Sequence, residues 1–127
     1  MKLAVVGAHL SGLPLNHQLT SRGGSLVRAA KTKNVYRLFE LPGTKPPKPG
    51  MMRTATSTEG GIELEVWELS PGAFAEFVAE IPPPLGIGTI ELADGELVKG
   101  FLCESYALEA ATDITRFGGW RNYLASL

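Results

Sequence analysis

A single cysteine, two histidines and no long apolar run set the first limits on this chain of 127 residues. With Cys103 alone, no intramolecular disulfide forms and no cysteine cluster holds zinc. His9 and His17 have no third ligand nearby in sequence, so a metal site is not expected. The chain has neither a Walker A loop, a GxGxxG fingerprint nor a GxSxG elbow, and no cofactor is expected. No stretch approaches the roughly 20 apolar residues that cross a bilayer. The apolar start is cut short at Gly7, well below the length of a secretory signal. A cytoplasmic location without a membrane partner is the resulting expectation. An excess of one charge is missing too: 12 Lys and Arg face 13 Asp and Glu, a formal net charge of −1. Nucleic-acid binding, which needs a broadly basic surface, is therefore not expected.

What is present suits a globular domain. Hydrophobic residues make up 44% and charged residues 20%, enough for one core at this length but not for two. A single domain over residues 1–127 follows. Leu3-Ala4-Val5-Val6 reads as a buried strand that enters a loop at Gly7. After the loop, Asn16 is placed to cap a short helix running to Arg22 and stopped by Gly23-Gly24. Residues 26–31 and 35–41 are strand-like. Residues 41–50 hold four prolines and two glycines and read as an irregular, stiff loop. Residues 51–56 form a further candidate strand. Residues 62–69 alternate apolar and acidic side chains, with Trp67 out of step, which predicts a bulge or a change of face. Their carboxylates Glu63, Glu65 and Glu68 are expected on one solvated face. Ser70-Pro71 is a helix start, and Phe74, Phe77, Val78 and Ile81 recur at helical spacing before Pro82-Pro83-Pro84 ends the helix. Asp94-Gly95 predicts a hairpin between residues 88–92 and 97–103. Trp120, Tyr123 and Leu124 mark a short amphipathic segment at the end. The mixture of about six or seven strands and two or three helices predicts an α+β fold, a small mixed β-barrel with packed helices.

The loop over residues 7–14 is the first candidate for chemistry. Gly7 and Gly12 let backbone approach a ligand, and successive N–H groups followed by a helix start form an anion-binding concavity. The plainer alternative is a strand–helix turn. His9 lies inside this loop and titrates near neutrality, so it can bind an anion or give it a proton. The alternative is a histidine that merely orients the loop. His17 is expected to face outward. Gly7, Ala8, Leu10 and Asn16 are the candidate binding residues of the loop itself. Tyr36 and Arg37, with Lys48 at the far end of the proline segment, are candidates to add a phenol and positive charge. Cys103 has no activating neighbour and reads as a packed thiol.

Residues 4–19, Tyr36-Arg37-Leu38, residues 41–50, Val66-Trp67-Glu68-Leu69, residues 81–88, residues 98–104 and residues 113–121 occur in an order that resembles the C-terminal domain of allophanate hydrolase. The resemblance covers nearly the whole chain. It implies a fold like that of gamma-glutamyl cyclotransferases, in which a Tyr-Gly-Ser-Leu loop after the first strand holds substrate by its backbone. Gly7-Ala8-His9-Leu10 stands in that place. The cyclotransferase glutamate is expected near residues 82–88, which hold no carboxylate. The amidase domain of allophanate hydrolase, with its Ser-Ser-Lys triad, resembles nothing here. The family therefore implies a role in urea and allophanate degradation beside an amidase: decarboxylation of N-carboxycarbamate, with His9 as the catalytic residue. Two alternatives follow. One is a non-catalytic anion-binding or assembly module serving an amidase on another chain. The other is a cyclotransferase-like enzyme on a different amine.

Overall fold

The computed structural model describes residues 1–127. The apolar start becomes β1 (Lys2–Val5), and its Leu3, Ala4 and Val5 are fully buried. β1 lies at the centre of a five-stranded sheet. On one side it pairs antiparallel with β5 (Glu63–Glu68), and β5 pairs with β2 (Ser25–Lys31). On the other side β1 runs parallel to β7 (Leu97–Cys103), which forms a hairpin with β6 (Leu85–Glu91). The hairpin turn carries Gly95 at φ +91°, a conformation the Asp94-Gly95 pair accommodates readily.

The remaining strands form a separate sheet of three. β3 (Tyr36–Glu40) sits between β4 (Pro49–Arg53) and β8 (Thr112–Asp113). The fold is α+β, as the sequence predicts, but the two sheets are not joined by strand pairing into a closed barrel. The proline segment is irregular only in part. Its last two residues open β4, and Pro49 is accepted because it is the first residue of an edge strand. The bulge expected near Trp67 lies on the partner strand: Leu26 faces Trp67 and Arg28 faces Val66, leaving Val27 as the extra residue.

Three α-helices complete the chain. α1 (His17–Thr20) is a single turn, shorter than the helix expected to reach Arg22. α2 (Pro71–Ala79) starts as its sequence predicts, with the Ser70 hydroxyl accepting from the Ala73 N–H at 3.2 Å. It buries Phe77 against the large sheet's core. α3 (Trp120–Ala125) buries Trp120 and Tyr123. Together these side chains belong to one apolar cluster of 22 buried residues. No helix is long and apolar enough to cross a membrane.

Candidate active site around His9

β1 ends at Val5, and the chain turns so that the Leu10 N–H donates to the Gly7 carbonyl at 3.0 Å. The loop is then pinned from outside. The Ser11 N–H and hydroxyl both donate to Glu65 Oε1, and the Asn16 amide donates to the His9 carbonyl at 2.8 Å. The N–H groups of Leu13, Leu15 and Asn16 bond within the loop. Those of Gly7, Ala8 and His9 have no protein partner. Gly7 and Ala8 are buried, and a buried N–H left unbonded is rare enough to need a reason. Gly7 itself is required by space: a Cβ there would lie 2.4 Å from Pro49 Cδ.

The imidazole of His9 is half-buried in an aromatic clamp. Phe101 of β7 stacks on it at 5.1 Å and 18°, and Phe77 of α2 meets it edge-on at 5.1 Å and 79°. Nε2 lies 2.8 Å from Gln18 Oε1. The ring borders a cavity of about 170 Å³ whose wall includes Leu15, Gln18, Lys48, Glu80, Leu85 and Phe101. A narrow extension of this recess, about 20 Å³, is lined by Gly7, Ala8, His9 and Lys48. Burial holds the His9 pKa below the ordinary histidine value; the Gln18 bond opposes this, while the charges of Lys48 and His17 add to it. The neutral imidazole is thus favoured when the cavity holds no anion.

Residues 1–125 match the family model described as the allophanate hydrolase C-terminal domain. The chain belongs to that family. The urea amidolyase of Saccharomyces cerevisiae is 45% identical over 130 residues, covering 100% of this chain and 7% of that protein. The crystal structure of Kluyveromyces lactis allophanate hydrolase superposes with a TM-score of 0.93 at 44% identity, over 98% of this chain and 21% of that one. The structure of c4763, described as a uropathogenic E. coli-specific protein, gives 0.89 at 36% identity, covering 99% of this chain and 96% of that one. This allophanate hydrolase C-terminal domain spans 7% of the length of the curated relatives it matches.

The structure brings some of the expected residues of this domain together and scatters others. Gly7, Ala8, His9 and Lys48 share the recess. Leu10 is buried and lines a different groove, with Trp120 and Arg121. Asn16 supports the loop through the His9 carbonyl and makes no side-chain cap for α1. α1 is only one turn long, shorter than the helix start on which the expected anion-binding concavity relies. Tyr36 is fully buried, and its hydroxyl accepts from the Glu91 N–H at 2.9 Å. Arg37 bonds Asp113 at 3.1 Å and lines a separate polar groove. His17 is exposed, with Nδ1 3.0 Å from the Pro14 carbonyl. Cys103 is buried; burial and nearby Glu104 push its thiol pKa up.

Two readings of the acidic residues need correction. Glu65 is not solvated: its side chain is 12% exposed and gathers Ser11, the Trp67 indole N–H and Arg121. Glu68 sits out of phase with it and pairs with the chain's amino terminus. A carboxylate also reaches the His9 cavity, from just before the expected stretch. It is Glu80, at the C-terminal end of α2, and Arg22 holds it at 2.7 Å. Gln18, Phe77 and Phe101 are the neighbours of His9 that sequence reasoning missed. Only the spacing of Gln18 nine residues after His9, across one turn, offered a hint.

Proposed function

We propose that this domain decarboxylates N-carboxycarbamate, or a similarly small carboxylated amine, in urea and allophanate degradation. The amidase that forms this substrate lies outside these 127 residues. The observation that carries the reading is that Gly7, Ala8, His9 and Lys48 line one small recess, and that the N–H groups of these three loop residues have no protein partner. Such donors supply what a carboxylate needs, and the walls keep water from competing. The cavity has room for an acid of this size.

The chemistry follows from charge. The substrate carries two carboxylates on one nitrogen. As the dianion enters, its field opposes the depressing effects on His9 and favours the imidazolium. The ring then gives its proton to the substrate nitrogen while one C–N bond breaks. The bonding pair stays on nitrogen, the departing carboxylate leaves as neutral CO₂, and carbamate remains. Lys48 and the loop N–H groups hold the retained carboxylate. Phe101, Ile81 and Leu85 give the cavity an apolar side where loss of charge is favoured.

The test couples the purified domain to an amidase acting on allophanate and follows CO₂ release. His9→Asn is expected to lower the domain-dependent rate by about 10² to 10⁴, the usual span for losing a positioned acid. Full activity in that variant removes His9 from the chemistry. A second reading is favoured by one observation, the packing of the His9 ring between Phe77 and Phe101, where burial works against the imidazolium. It is a binding module that holds the dianion without reacting. Malonate binding, together with an unaccelerated rate in the wild type, would establish it.

A further inference from the structure

The His9 ring has one polar side-chain neighbour within hydrogen-bond distance. Gln18 Oε1 stands 2.8 Å from Nε2. The other ring nitrogen, Nδ1, has no protein partner. It is not sealed in either: the one fully buried side-chain nitrogen or oxygen without a partner is Arg22 Nε. The ring cannot easily turn, because Phe101 covers its face and Phe77 abuts its edge.

We infer that Gln18 is the positioning residue of this site: by accepting the Nε2 hydrogen of His9, it fixes the ring tautomer and commits Nδ1 to the bound ligand. Gln18 is itself held in place. Its N–H donates to the Leu15 carbonyl at 3.0 Å, and its carbonyl accepts from Arg22 Nη1 at 2.9 Å. Through Nη2 the same guanidinium grips Glu80, so α1 is tied to the end of α2, the helix that supplies Phe77. The clamp and the acceptor therefore belong to one frame.

The identity of the acceptor matters. An amide oxygen orients an imidazole without charging it, whereas a carboxylate at that distance would stabilise the imidazolium before any ligand arrived. The charged groups around the ring do not take over that role. Lys48 and His17 disfavour the cation, and Glu80 is engaged by Arg22. A proton at Nδ1 then accompanies the anion, which is where the decarboxylation reading needs it. The catalytic consequence rests on that reading; the tautomer does not.

The experiment uses the whole domain with His17→Gln, so that His9 is the remaining histidine. In ¹⁵N–¹H spectra of the imidazole, a protected hydrogen on Nε2 is expected. It should persist in Gln18→Glu and exchange away in Gln18→Leu. A hydrogen found on Nδ1, or an unchanged spectrum in Gln18→Leu, overturns the inference. In Gln18→Glu the His9 titration should move up by about one pH unit, and an unmoved titration also overturns it. This arm stands even where Gln18→Leu fails to fold. In the coupled assay, Gln18→Leu should lower kcat about tenfold, a larger change than in KM. A wild type that releases no CO₂ sinks the decarboxylation reading and leaves the spectral result standing.

Discussion

The His9 recess and the Arg37 groove both offer positive charge to a ligand, and they differ in what that charge is already doing. The groove is the larger, about 580 Å³ against about 170 Å³, and no hydrophobic residue lines it. Of its two cations, Arg116 lies over the Phe117 ring at 4.5 Å. Arg37 pairs with Asp113, whose other oxygen accepts from the Thr115 N–H. Burial tends to raise the Asp113 pKa, but the Thr115 bonds and the Arg37 charge outweigh it and hold the carboxyl below its usual range. The recess is smaller and walled by Phe77, Phe101, Ile81 and Leu85, and three backbone donors in and beside it have no partner. Polarity alone does not mark a site. Unsatisfied polar groups held in a poorly solvated place do, because a ligand recovers there what water cannot supply.

The strongest way to break this contrast is to crowd the loop beside the recess. Gly7→Ala places a methyl carbon against the ring of Pro49, a partner that cannot swing aside. Overpacking of this kind costs about 1–3 kcal/mol, so a clear fall in denaturant midpoint is expected, together with loss of malonate binding. An equal midpoint and equal binding would show that the loop has slack, and the geometric case for the recess would fail. Gly60→Ala, at a glycine with open space around it, is the matched control.

Removing charge from the recess should have the next largest effect. Lys48→Met keeps the length of the side chain and its apolar stem. It should weaken malonate binding about tenfold, an energy of about 1.4 kcal/mol. Isothermal calorimetry reads this directly, and raising the salt concentration should narrow the gap. Unchanged affinity would leave the backbone donors as the whole of the anion site.

These residues were not equally legible in the sequence, and the reasons are physical. β1, the Ser70-Pro71 helix start and the Asp94-Gly95 hairpin are written in neighbouring residues, so local chemistry was enough. The loop at residues 7–14 was legible as a backbone able to meet an anion. The clamp was not: Phe101 reaches His9 because β7 runs parallel beside β1, a pairing that sets Leu3 opposite Lys99 and Ala4 opposite Gly100. Phe77 looked like one stripe residue among four, and nothing in its spacing aimed it at a histidine. Asn16 reads as a helix cap by propensity, but its backbone is already helical at φ −58° and ψ −32°, and its amide nitrogen donates to the His9 carbonyl. Glu65 read as solvated because alternation reports which way a side chain points, not what later folds over it. Arg37 read as a neighbour of the loop on the strength of the proline segment, yet β3 carries it to the Asp113 side.

Acid titration sharpens the comparison through stability. The folded His9 pKa lies below its unfolded value, so the unfolded chain binds the extra proton first as pH falls. Stability is therefore lost on acidification from about pH 6.5 down to the folded pKa, and it is recovered as pH rises through that window. One proton limits the slope to about 1.4 kcal/mol per pH unit. Melting curves of the wild type and His9→Asn should diverge in slope over this range and run parallel above pH 7.5. Saturating malonate, by favouring the imidazolium, should flatten the wild-type slope. Parallel curves throughout would mean that His9 is no more desolvated than in the unfolded chain.

The smallest effect is expected from the larger groove. Arg37→Ala breaks an ion pair whose two side chains are each 43% exposed. Exposed pairs contribute about 0.2–1 kcal/mol at most, and salt screens them further. Malonate affinity and the CO₂ release rate should stay within about twofold of the wild type. Arg37 was a candidate because guanidinium suits carboxylates, and that chemistry is satisfied here by Asp113. Adding Asp113→Asn as a second change separates two cases. If the groove only holds itself together, the double variant loses no more than Arg37→Ala alone, since the pair is already broken. If Arg37 instead serves the ligand, the single change should cost affinity well beyond twofold, and freeing Arg37 by Asp113→Asn alone should raise it.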